Sequence, residues 1–327
     1  MSSSSFKSLA RAPARLASSA DVKKAFIWLG GYLLTGCIPS RLDRDAYERF
    51  SGHKHIQHLF RRQVGLTTIR ERMRDLLGQH LSESAVNAAA DEYFEMRFEE
   101  LWGRWRASHG ADWFVRTEVE GLNHLADSLN HGHGVVFWGM SFCRALFPKI
   151  ALSRSGINLV QLSAPEHGTD YPLTMLGKYL AGPLYCRPEN AYLRKRIQIS
   201  VDGSPGYKEQ LADVLRNKGC IWIAAETTRA RRPIAAELFS RRALIPAGAP
   251  ALALKQRATL IPVHTRREAP FHYRVILQPP IHLDRTVAAE KCLTRAVEEF
   301  AGRLADLILE KPSDWSWEAK WVSSLLK

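Results

Sequence analysis

From about residue 111 onward, short β-branched or aromatic runs alternate with amphipathic stretches, and this alternation restricts the fold more than any other feature. The runs are Gly134–Trp138, Ile157–Leu162, Cys220–Ala225, Ala258–Val263 and Tyr273–Gln278. All five are predicted strands, and the continuous apolarity of Gly134–Trp138 predicts that it is buried on both faces. Between them the pattern predicts a helix over Val119–Asn130. A second helix has Ser204 as N-cap and Pro205 at its first position, and stops near Lys218–Gly219. A long C-terminal helix covers Val287–Glu310. Strands alternating with helices predict an α/β fold: a mostly parallel sheet covered by helices on both faces. Such sheets carry their sites at strand carboxyl ends. That directs attention to residues 139–145, 226–232 and 264–268.

Residues 43–110 read differently. Ile69, Met73, Leu76 and Leu77 recur at helical spacing. A further helix starts at Ser82-Glu-Ser-Ala and runs through Tyr93, Phe94, Phe98, Leu101 and Trp105, with its charges expected largely on the opposite side. That stripe reads as packing. The expected organisation is a disordered lead-in over 1–20, an N-terminal helical subdomain over 21–110, and an α/β domain over 111–327. No Pro- or Gly-rich linker separates the last two, so one compact body is expected. Ala25–Ile38 is apolar but shorter than the roughly 20 residues needed to span a bilayer. With Lys23 and Lys24 before it and Arg41 and Arg44 after it, it suits an element lying in a membrane interface. A core helix fits equally.

The formal net charge of +13 over 327 residues favours anionic partners. The charge is spread along the chain and no nucleic-acid module accompanies it, so nucleic acid is not expected. Five cysteines without Cys-x-x-Cys spacing predict neither a disulfide framework nor a metal site. No P-loop or dinucleotide fingerprint is present, and no cofactor is expected.

Two stretches carry the chemistry. The segment Glu237-Leu-Phe-Ser-Arg-Arg-Ala-Leu-Ile-Pro-Ala-Gly-Ala-Pro, followed by Ala258–Val263, resembles the bacterial lipid A late-acyltransferase family, within the wider lysophospholipid acyltransferase group. There a Phe-Gly-Arg turn leads into a small-residue helix and a strand ending in Val-Pro-Val. The ending Trp315-Ser-Trp-Glu-Ala-Lys-Trp321 is similar too. The resemblance runs from about Val119 to Trp321 and is better in its second half. It implies that Gly134–Ala145 should hold the family's His-x-x-x-x-Asp/Glu pair. Those two places read as Met140 and Ala145.

Acyl transfer to a hydroxyl or amine needs a base for the acceptor's proton and donors for the thioester oxyanion. None of the twelve histidines has an acid five positions later. His264 has Glu268 four positions later, and His131 and His133 flank the turn before the key strand. Ser141 and Cys143 stand where the pair is expected and are candidate nucleophiles. By the resemblance, Glu226 opens the acceptor loop and is the third candidate catalytic residue. Arg144, Arg187, Arg229, Arg241 and Arg242 are candidate substrate-binding residues, because guanidinium groups suit phosphate or an acidic carrier surface.

The resemblance implies transfer of a fatty acyl group from acyl carrier protein or acyl-CoA to a lipid or unusual small acceptor. It implies an altered centre and a peripheral position on an anionic membrane, at the cytoplasmic face of the bacterial inner membrane. The alternative is a non-catalytic lipid- or acyl-carrier-binding protein.

Overall fold

The computed structural model describes residues 15–109, 115–131, 134–167, 174–200, 204–225 and 233–318. Five helices come first: α1 (Ser19–Gly36), α2 (Asp43–Gly52), α3 (Lys54–Val64), α4 (Leu66–Leu77) and α5 (Glu83–Ser108). Ser18 caps α1 by accepting from the Asp21 amide at 3.0 Å, and Ser82 caps α5 through the Ala85 amide at 3.3 Å. Tyr93, Phe94, Phe98 and Trp105 of α5 are buried, as their spacing predicts. The charges do not stay outside, however. Glu99, Glu100, Arg104 and Arg106 are buried as well, because α5 lies between the other helices and the sheet and each charge meets a partner. Arg106 pairs with Asp43 at 3.0 Å, and the Tyr273 hydroxyl donates to Glu99 at 2.6 Å.

The second part runs β1 (Arg116–Glu120), α6 (Leu122–Asn130), β2 (Val135–Gly139), α7 (Leu146–Arg154) and β3 (Leu159–Ser163). A π turn over Gly177–Ala181 leads into α8 (Gly182–Asn190), β4 (Lys195–Gln198), α9 (Gly206–Arg216) and β5 (Cys220–Ala224). Next come β6 (Pro233–Leu238), β7 (Arg241–Pro246), α10 (Gly248–Gln256), β8 (Thr259–Ala269), β9 (His272–Leu277) and α11 (Ala289–Glu310). The main sheet has seven strands in the order β1-β9-β8-β2-β5-β3-β4. Every neighbouring pair is parallel except β8–β9. The fold is therefore the expected α/β class.

Two expectations change. Val119 belongs to β1, and the helix after it starts only at Leu122, because Val119 pairs with Val275 of β9. Pro205, not Ser204, occupies the position before α9.

The strand carboxyl ends of β2, β5, β3 and β4 all point to one edge. Gly139 closes β2 opposite Ala224 and Val263. A Cβ there would sit 2.2 Å from the Trp222 ring, so glycine lets the two strands approach. On one face of the sheet Trp138 stacks on Phe300 of α11, with centroids 3.9 Å apart. Phe147 of α7 stacks on Tyr273 at 3.6 Å. A fully buried side chain of this kind contributes roughly 1.5–3 kcal/mol. Together these contacts hold the carboxyl edge rigid.

Candidate functional site

The chain leaves β2 through Met140–Ala145, the place the resemblance gives to the catalytic pair. Cys143 and Arg144 both take positive φ, 47° and 64°, a conformation that costs a non-glycine residue about 1–2 kcal/mol. The C-terminal segment holds them there. The Cys143 amide donates to the Asp314 carbonyl at 2.6 Å, and the Ser316 amide donates to the Ser141 carbonyl at 2.8 Å. Phe142 bridges Trp315 in antiparallel fashion. Trp315 and Trp317 are wholly buried, packed edge to face with centroids 4.8 Å apart. Met140, Phe142 and Cys143 are buried beneath this strap.

Burial pushes the Cys143 thiol well above the usual range, and the nearby Asp314 adds to the effect. A thiolate nucleophile is disfavoured there. Burial likewise raises the Asp314 carboxyl to about 7, against the pull of Lys311. The Arg144 guanidinium is taken up by protein groups: Glu318 at 3.2 Å and Glu100 at 3.6 Å. Beside the loop, His264 is buried against the Phe142 ring, and neither ring nitrogen has a hydrogen-bond partner among the described residues. Burial, aided by Arg266, lowers its pKa to about 3. It is a neutral core imidazole.

The cavity on this edge lies elsewhere, at the exits of β3 and β4. It holds about 320 Å³ and is lined by Pro165, His167, Lys178, Cys186, Arg196 and Gln198, among others. Behind two of the lining residues, His167 and Arg196, stands Glu189, at the end of α8, which is fully buried. Four groups converge on that carboxylate: Lys149 at 2.6 Å, Arg196 at 2.8 Å, Arg104 at 2.9 Å and His167 Nε2 at 3.1 Å. Burial alone would raise the Glu189 pKa. Lys149, His167 and Arg104 outweigh it and hold the carboxylate well below its usual range. Burial lowers the His167 pKa, with Glu189 pulling it back and Lys149 and Arg196 pushing it further down. The imidazole is thus neutral near pH 7, with Glu189 accepting from Nε2.

The candidate residues scatter. Ser141 and Cys143 are in the strapped loop with Arg144. Arg187 is exposed on α8 with its guanidinium over the Tyr32 ring of α1, 5.8 Å from the centroid. Arg241 meets Asp75 at 2.9 Å. Arg242 is exposed on β7, opposite Glu237. Glu226, Arg229 and His133 lie outside the described residues. His131 is exposed, its Nδ1 2.5 Å from the Asp127 carbonyl. His264 and Glu268 sit on one strand, but Glu268 turns to Arg274 at 3.3 Å. Sequence reasoning missed His167 and Glu189. The available signal was a histidine four residues after β3; its acid stands 22 residues on, beyond any local motif. Among the described residues no cluster of three His, Cys, Asp or Glu side chains could hold a metal ion.

Residues 191–321 match the bacterial lipid A biosynthesis acyltransferase family. The match covers the second half of the resemblance, from just before β4 to Trp321. It takes in Glu226, Arg229, Arg241 and Arg242 and begins after both Met140–Ala145 and His167. One solved structure that aligns with the chain is the 1-acyl-sn-glycerophosphate (LPA) acyltransferase PlsC from Thermotoga maritima. Identity is 12% and the TM-score 0.36, over 78% of this chain and 98% of that one. No curated protein matches. The acyltransferase family resemblance supports a general acyltransferase role.

Proposed function

We propose that this chain is an interfacial acyltransferase. It takes a fatty acyl group from acyl carrier protein or acyl-CoA and passes it to a hydroxyl or amine of a lipid or a small anionic acceptor. It works from the cytoplasmic face of the bacterial inner membrane, as a peripheral protein. The observation that carries this reading is the position of the cavity beside an uncovered apolar surface. Lys178 lines the cavity, while its neighbours Met175, Tyr179 and Leu180 are exposed. Helix α1 packs on the same turn: Thr174 donates to Asp21 at 2.5 Å. Along α1, Val22, Phe26, Leu29 and Leu33 project into solvent, Phe26 with 79% of its surface free. An apolar helix face next to Lys23, Lys178 and Arg187 fits an anionic bilayer. No described helix is long and apolar enough to cross a membrane.

In this proposal Glu226 and Arg229, inside the family match, serve the acceptor side, with Arg241 and Arg242 as a secondary anion-binding surface. Ser141 and Cys143 have no catalytic part. The burial of Met140, Phe142 and Cys143 beside Trp315 also favours a second reading, a protein that binds lipid or acyl carrier without turning it over.

The test is incubation with palmitoyl-loaded acyl carrier protein and vesicles of bacterial lipid, with products followed by mass spectrometry. A new acylated lipid or metabolite above the protein-free control is expected. An intact donor, with the protein bound to vesicles or carrier, supports the binding reading instead.

A further inference from the structure

His167 and Glu189 come together only in the folded chain, with His167 lining a cavity on the edge where such sheets place their sites. We propose that His167 is the general base of the acyl transfer, with Nδ1 facing the acceptor and Glu189 as the positioning residue that holds Nε2–H. The proposal rests on the acyltransferase reading above.

Three observations carry it. First, the tautomer is fixed. Glu189 is buried among Lys149, Arg104 and Arg196 and stays ionised, so it only accepts. Nε2 at 3.1 Å must therefore donate, which leaves the lone pair on Nδ1. The ring plane is fixed too: Tyr185 packs against it edge-on, 5.6 Å between centroids at 71°.

Second, His167 opens onto space that a substrate can use. Its side chain keeps 26% of its surface exposed, and the cavity of about 320 Å³ is large enough for a head group. The other described histidine–carboxylate pair, His272 with Glu118 at 3.2 Å, ties β9 to the edge strand β1, and neither residue lines this cavity.

Third, the surroundings favour an anionic acceptor or donor. Five cations (Arg97, Arg104, Arg144, Lys149, Arg196) share three carboxylates (Glu100, Glu189, Glu318) in one connected network. Within that network five cations face three carboxylates, an excess of two positive charges, and Arg196 carries it to the cavity lining. A phosphate-bearing acceptor is drawn to such a field.

The step balances as a simple transfer. The acceptor oxygen or nitrogen attacks the thioester carbonyl carbon as its proton passes to Nδ1. The carbon–sulfur bond then breaks, and the proton moves from Nδ1 to the departing sulfur. An ester or amide and a free thiol result.

The groups around His167 are Glu189 from α8, Lys149 from α7 and Arg196 from β4, the Tyr185 ring from α8, Arg104 from α5 through its pairing with Glu189, and Cys186 from α8 and Lys178 from the π turn in the same cavity lining. Of these, Lys149 has its pKa lowered to about 8, chiefly by burial, which Glu189 partly offsets. A pH profile in the acid range therefore reports on His167 itself.

The test compares kcat from pH 5 to 8 for the wild-type protein and His167→Gln, with palmitoyl-loaded acyl carrier protein and vesicles of bacterial lipid. Glutamine keeps a donor for Glu189, so the charge cage and the fold survive; circular dichroism verifies this. Wild-type kcat is expected to fall in acid with a midpoint below 6.5. In His167→Gln it drops about 10²–10⁴-fold and loses that midpoint, while KM stays within about three-fold. Glu189→Asp, which keeps the charge but shortens the reach, lowers kcat at least about ten-fold and moves the midpoint. Wild-type turnover with His167→Gln within about five-fold of it overturns the proposal and leaves the acyltransferase reading intact. A wild-type protein with no turnover on any donor removes both.

Discussion

Lys149 Nζ lies 2.6 Å from Glu189 Oε2, and neither side chain is exposed. The two are not equal partners. Glu189 is held well below its usual pKa by Lys149, His167 and Arg104 against burial. Lys149 is brought down to about 8, mostly by burial, despite Glu189. Cations crowd one carboxylate, and lysine is the one able to give up its proton. Removing Glu189 strands several buried cations, whereas removing Lys149 leaves Arg104 and Arg196 on the carboxylate. Glu189→Gln is expected to cost about 3–5 kcal/mol in urea unfolding, and Lys149→Met about 1–2 kcal/mol. The reverse order contradicts the cage.

The strap region holds two titrating groups of opposite sign. His264 is depressed to about 3 by burial and Arg266. Below the unfolded value near 6.5 the unfolded chain takes up a proton that the folded one refuses. Stability is lost as pH falls from about 6.5 to about 3, by at most roughly 1.4 kcal/mol per pH unit. Asp314 is raised to about 7 by burial. Its contribution is fully present below the unfolded value near 3.9 and is lost as pH rises through 7. The advantage of His264→Leu over wild type is therefore expected to widen in acid, and that of Asp314→Asn toward pH 8. Parallel pH profiles of unfolding free energy would refute both assignments.

The hairpin tip between β6 and β7 places Phe239 and Ser240 at φ 53° and 57°, as a two-residue type I′ turn demands. Phe239 packs near His80, with centroids 5.8 Å apart, so Ser240 is the position free to change. Ser240→Gly is expected to stabilise by about 1 kcal/mol in thermal or urea unfolding. A loss of stability would show that the serine side chain holds the turn.

Membrane attachment is testable on α1 alone. Phe26 and Leu33 point away from the body, so replacing both with Asp leaves the core unaltered. Binding to phosphatidylglycerol vesicles is expected to weaken at least about ten-fold, since each apolar side chain contributes roughly 1.5–3 kcal/mol when inserted. Unchanged co-sedimentation of the double variant sinks the interface assignment.

The five runs all became strands of the main sheet; β2 is buried along its whole length, as its continuous apolarity predicts. What the sequence hid lay at the edges. β1 reads Arg-Thr-Glu-Val-Glu and β4 reads Lys-Arg-Ile-Gln. Edge strands pair on one side only and carry charge on the other, so their pattern resembles a loop or helix. The buried charges of α5 were hidden for a related reason: Glu100 and Arg104 look like a solvated face until Glu189 and Arg144 arrive from elsewhere. The candidate base was least legible of all. His167 follows β3 and Glu189 ends α8, and only the β3–α8–β4 crossover brings them to one place.

The most direct measurement is a cysteine footprint of the cavity. Cys186 lines it, Cys37 is exposed elsewhere, and Cys143 is buried under the strap. Alkylation of each by N-ethylmaleimide is followed by mass spectrometry, with and without palmitoyl-loaded acyl carrier protein on bacterial-lipid vesicles. Substrate is expected to slow alkylation of Cys186 at least about five-fold relative to vesicles alone, as occupancy of a cavity excludes reagent, and to leave Cys37 unprotected by the donor. An unchanged rate at Cys186 under saturating donor, while transfer proceeds, would contradict a reaction centre at the exits of β3 and β4.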